Sequence, residues 1–124
     1  LESLAAKQLI TKIQQSILTG GVQGEEVVEG LKTLRPYAIQ AQNPTLTRVI
    51  RMAYEHIEEF GGFGIALPED EEEEDGDPGI EGLDEQANSL YYLVSLMLNA
   101  ANPRNKEEIL HYRNALKAYW DENA

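Results

Sequence analysis

The stretch PTLTRVIRMAYEHIEEF, residues 44–60, decides the fold. Leu46, Val49, Ile50, Ala53, Ile57 and Phe60 recur at three- and four-residue spacings, so a helix gathers them into one apolar stripe. Asn43 stands at the N-cap position and Pro44 at the first helical position, where its missing N–H costs nothing. Gly61-Gly62 ends the helix. A stripe this wide has to be covered, and the rest of the chain offers further helices to cover it.

Toward the N-terminus, residues 2–18 place Ala6, Leu9, Ile10, Ile13 and Ile17 on one helical face, closed by Gly20-Gly21. Glu25 to Arg35 carries Val27, Val28, Leu31 and Leu34 at helical spacing, with Glu25 and Glu26 in the first turn where the helix dipole favours them. Pro36 predicts an end or kink near Leu34 and a short helix resuming to Ala41.

Toward the C-terminus a helix resumes at Asp84 and carries Ala87, Leu90, Tyr91, Val94, Met97, Leu98 and Ala101. No charge falls between Gln86 and Asn102, so this helix should be the most buried. Tyr91 and Tyr92 are adjacent and point to different sides of it. Asn102-Pro103 closes it. The last helix, about Asn105 to Glu122, aligns Ile109, Tyr112, Leu116 and Tyr119, with Trp120 at the stripe edge. No segment shows strand alternation.

A shift of 59 residues superposes Leu31, Leu34, Ala41, Asn43, Pro44 and Ile50 on Leu90, Leu93, Ala100, Asn102, Pro103 and Ile109. Two αα-hairpins sharing one Asn-Pro turn chemistry explain this more simply than duplication. The expected fold is all-α: an antiparallel bundle of four to five helices, two αα-hairpins plus an N-terminal helix. It forms a single domain over residues 1–124, with an acidic Gly/Pro-containing loop over 61–83 between the halves.

The 124 residues suffice for one core, and ten Lys and Arg against 22 Asp and Glu give a net charge of −12. A field of that sign repels phosphate backbones and anionic lipid, so neither nucleic acid nor a membrane is an expected partner. With no cysteine there is no disulfide, no Cys-ligated zinc and no thiol nucleophile. A reducing compartment fits, and the cytoplasm is the expected location, since no apolar run approaches the roughly 20 residues of a membrane span. The chain opens at Leu1 without an initiator Met, consistent with a piece of a longer protein.

The charge is unevenly placed. Residues 1–60 sum to −1 and residues 86–124 to zero, while eleven acids and no base lie between Gly61 and Glu85. The plain reading is a solvated, self-repelling loop. The functional reading is that concentrated carboxylates attract and steer a basic partner protein, an effect that salt weakens. Glu69, Asp70, Glu71, Glu72, Glu73, Glu74, Asp75 and Asp77 are the candidate partner-binding residues. An acidic inhibitor or immunity-type protein facing a basic toxin surface is one version. Calcium in an EF-hand register fails, because a loop counted from Glu71 has Gly82 where a bidentate Glu belongs.

Glu55-x-x-Glu58 and Glu81-x-x-Asp84 formally resemble the paired ExxE and ExxD motifs of all-α nucleotide pyrophosphatases. The resemblance covers these four residues and implies a metal-dependent phosphohydrolase, with inward carboxylates binding magnesium. Gly82 interrupts the second pair, and the alternative on the next helix, Glu85-x-x-Asn88, has Asn where the motif has Asp. Glu55 also projects away from Ile50 and Ile57. Glu108-x-x-His111 has the spacing used in di-iron bundles, which need the pair twice, and Ala53 stands three residues before His56. His56 with Gly61-Gly62-Phe63-Gly64 resembles a histidine phosphotransfer helix, yet Glu59 occupies the position of that family's Lys.

The residues therefore assign no catalytic group and no cofactor. The expected function is a small helical protein-interaction module that uses its acidic loop for recognition. A metal-dependent phosphohydrolase and a purely structural or dimerising domain are the alternatives, and a homodimer would give the charge-free helix a second cover.

Overall fold

The computed structural model describes residues 1–67 and 82–124. They form α1 (Leu4–Gly20), α2 (Glu25–Gln40), α3 (Pro44–Phe60), α4 (Glu85–Leu96), a 3-10 turn (Met97–Asn99) and α5 (Pro103–Asn123), with no strand among the described residues. Side-chain caps fix four of the starts. Ser3 accepts the Ala6 N–H, Asn43 that of Leu46, Asp84 that of Ala87, and Asn102 those of Arg104 and Asn105. Both Asn-Pro pairs thus perform the same cap-and-start function. Gly61 ends α3 at φ 74°, the left-handed region that glycine enters without a Cβ clash.

Two boundaries differ from the sequence expectation. Pro36 does not end α2, which runs unbroken to Gln40. Only the proline's own N–H is lost, and the turns on either side stay anchored because Leu34 and Ala38 are both fully buried. The fourth helix does not continue as α-helix to Ala101. It tightens into a 3-10 turn over Met97–Asn99, as last turns often do, before Asn102 caps α5.

The five helices pack as a ring: α1 on α2, α2 on α3, α3 on α5, α5 on α4 and α4 back on α1. The last helix lies more extensively against α3 than against its sequence neighbour α4. Helices α1 and α2 come very close at Gly30, where a Cβ would stand 2.6 Å from Ile13 Cγ1. An interior glycine costs a helix about 1 kcal/mol, offset here by that approach.

The ring encloses Ile10, Ile13, Ile17, Leu31, Leu34, Leu46, Ile50, Leu90 and Leu93, all essentially without exposure. Seven residues of α4 are buried, including Asn88 and Ser89. Its apolar circumference is covered within the chain, by α1 and α5. The core also takes residues that helical spacing does not reveal. Phe63 and Ile65, beyond the end of α3, are 0 % and 5 % exposed. The start of the expected loop therefore turns inward and docks. None of the described helices is long and apolar enough to cross a membrane.

Candidate functional site

The acidic candidates Glu69, Asp70, Glu71, Glu72, Glu73, Glu74, Asp75 and Asp77, with Glu81, lie outside the described residues. Their flanks are held. On one side Phe63 donates its N–H to Gln86 Oε1 at 2.9 Å, and Gly64 donates to His56 Nε2 at 3.1 Å. On the other, Asn88 Nδ2 donates to the Leu83 carbonyl at 3.0 Å. The first of these bonds ties the end of α3 directly to the first turn of α4.

The carboxylates considered for magnesium are occupied elsewhere. Glu55 faces Arg51 Nε at 3.5 Å within α3, and Glu58 accepts from Lys32 Nζ of α2 at 3.2 Å. Both pairs are about half exposed, where solvent screens such contacts and they contribute little. Asp84 and Glu85 sit at the start of α4, Asp84 as its cap. Among the described residues no group of three or more acids or histidines is placed to hold a metal ion.

Glu108 accepts a hydrogen bond from the Tyr92 hydroxyl, while His111 is exposed. Burial first, and then the bond to Glu108, raise the Tyr92 pKa well above the ordinary phenol value. Burial likewise raises that of Tyr112, whose hydroxyl donates to the Ser89 carbonyl at 3.0 Å.

His56 differs from a solvent-facing or capping histidine. It is 1 % exposed and ringed by Phe60, Phe63 and Tyr119 at centroid distances of 4.8, 5.7 and 4.6 Å. Its Nε2 accepts from Gly64, while Nδ1 is buried without a partner. Burial lowers its pKa below the ordinary 6.5. The unfolded chain therefore takes up the proton first as pH falls. The associated stability is present above about pH 6.5 and is lost as pH drops through the folded value. Urea midpoints measured from about pH 8 to about pH 5 should fall for the native chain and fall less for His56→Gln. Equal slopes in the two would remove His56 from this role.

One constellation was not foreseen. Four of the chain's five arginines line a single open groove of about 790 Å³: Arg35 from α2, Arg48 and Arg51 from α3, and Arg113 from α5. Among the described residues no lysine and no carboxylate lines it. Arg35 Nε is buried without a hydrogen-bond partner. Gln42, also in the lining, has φ 55°, the one non-glycine residue among those described with positive φ. That conformation lets the chain reverse between α2 and α3, which sets Arg35 near Arg48. The local sequence signal was Arg48-x-x-Arg51, a like-charge pair on one helix face; Arg35 and Arg113 join it only through the packing of α2 and α5 on α3.

No family model matches the chain, nor does any curated protein or solved structure.

Proposed function

We propose that the chain is a small helical protein-interaction module in which the acidic segment Glu69–Asp77 recognises and steers a basic partner protein. The placement of charge carries this reading. The described residues hold thirteen acids against ten bases, and the remaining nine acids fall without a base in residues 68–81. Like charges at that density repel one another, and a basic surface relieves the repulsion while gaining attraction of its own. On either side of the segment the chain is held to α4, through Phe63 on Gln86 and Leu83 on Asn88.

The phosphohydrolase alternative gains nothing comparable, because Glu55 and Glu58 pair with Arg51 and Lys32. Affinity capture from source-cell lysate, comparing the intact chain with one lacking Glu69–Asp77, tests the proposal. A partner held at low salt and lost both on deletion and at high salt is the expected result. A partner set unchanged by deletion contradicts it, and capture of the chain's own second copy alone replaces it with self-association.

A further inference from the structure

We infer that the four-arginine groove between α2, α3 and α5 is a binding site for a compact oligophosphate. The inference is independent of the acidic-segment reading, since none of the four arginines belongs to that segment. Folding has brought Arg35, Arg48, Arg51 and Arg113 to one surface with no acid among the described lining residues, in a chain whose net charge is −12. Glu55, 3.5 Å from Arg51 Nε, engages that guanidinium through Nε, about half exposed on both sides.

Guanidinium groups are fixed cations with planar forks that match phosphate oxygens two at a time. A single carboxylate would neutralise one of the four. A ligand with roughly three to four negative charges balances them, which selects a diphosphate or triphosphate. Thr45 adds neutral donors at the same place. Pro44 has no N–H and the Leu46 N–H is taken by Asn43, so the Thr45 amide is the unclaimed donor in the first turn of α3, where the helix dipole favours an anion. The exposed Ile39 and Pro44 give an apolar side to the lining, against which a non-phosphate portion of the ligand can rest.

The groove volume is that of a small-molecule site. A nucleic acid fits it poorly, because a backbone extending past four cations meets the acidic remainder of the chain. The chemistry is shared by inorganic oligophosphates and nucleoside di- and triphosphates.

Calorimetric titration of the full chain with pyrophosphate, inorganic triphosphate and adenosine triphosphate, with orthophosphate and citrate alongside, tests this. Saturable one-to-one binding of the oligophosphates, about tenfold or more tighter than orthophosphate or citrate, is expected. Tighter binding of the nucleotide than of inorganic triphosphate identifies a nucleotide as the source, and the reverse an inorganic one. Arg48→Ala and Arg113→Ala should each weaken binding about tenfold, while Lys12→Ala, on α1, which contributes no described residue to the groove lining, should not. Arg48 is exposed, so Arg48→Glu tests the charge without disturbing the core; unchanged circular dichroism and melting confirm that the variant is folded. No saturable binding, citrate binding equal to that of pyrophosphate, or binding retained in Arg48→Glu and Arg113→Ala overturns the assignment.

Discussion

Phe63→Ala is expected to destabilise the protein by about 3–5 kcal/mol, a large part of the roughly 5–15 kcal/mol that holds a domain of this size together. The side chain is 0 % exposed although it belongs to no helix. It enters the core after the left-handed turn at Gly61 and lies between His56, 5.7 Å away, and Tyr112, at 6.3 Å and 28° between ring planes. Truncation removes the ring and leaves a void that fixed helices on several sides cannot close. The same residue's N–H reaches Gln86, so the loss should also loosen the tie between α3 and α4. Urea denaturation reads the effect as a lowered midpoint with an unchanged slope. A loss below about 1 kcal/mol would mean that residues 61–67 do not dock as described.

Tyr112 separates packing from hydrogen bonding. It is fully buried, and its hydroxyl donates to the Ser89 carbonyl at 3.0 Å and lies 3.1 Å from Ser89 Oγ, itself buried. Tyr112→Ala should cost about 3–5 kcal/mol through the lost ring and the cavity. Tyr112→Phe keeps the ring but takes from buried Ser89 Oγ its hydroxyl partner, for about 1–2 kcal/mol. Thermal and urea unfolding should therefore show a larger loss for Tyr112→Ala than for Tyr112→Phe. Equal losses would show that the hydroxyl, and not the ring, secures α5 against α4.

The helices were legible because their signals are local. Leu46, Val49, Ile50 and Ala53 announce α3 by spacing alone, and Asn43-Pro44 and Asn102-Pro103 announce two starts by cap chemistry. The 59-residue shift pairs Leu31, Leu34 and Ile50 with Leu90, Leu93 and Ile109, all buried, while it also pairs exposed Ala41 with buried Ala100. Pro36 misled because a proline's local cost was weighed without the burial of Leu34 and Ala38 around it. Phe63 and Ile65 escaped notice because a core residue outside a helix or strand has no period to detect.

His56 faced the same limit in another form. Its place on α3 was readable, but the aromatic enclosure needs Phe63 from beyond the helix and Tyr119 from α5. The arginine groove is the clearest case of a site made only by folding. Arg35 and Arg113 are 78 positions apart in sequence and meet because α2 and α5 both pack on α3. Net charge pointed away from it, since a chain-wide −12 is a sum that conceals a local excess of the opposite sign.

Charge-based recognition is tested most directly by the affinity of the captured partner for two chains, the intact one and one with the acids of Glu69–Asp77 changed to Gln and Asn. Measured from about 50 to about 500 mM salt, affinity for the intact chain should fall steeply as screening shortens. The neutralised chain should bind weakly with little dependence on salt. Equal affinities with equal salt slopes would contradict the account.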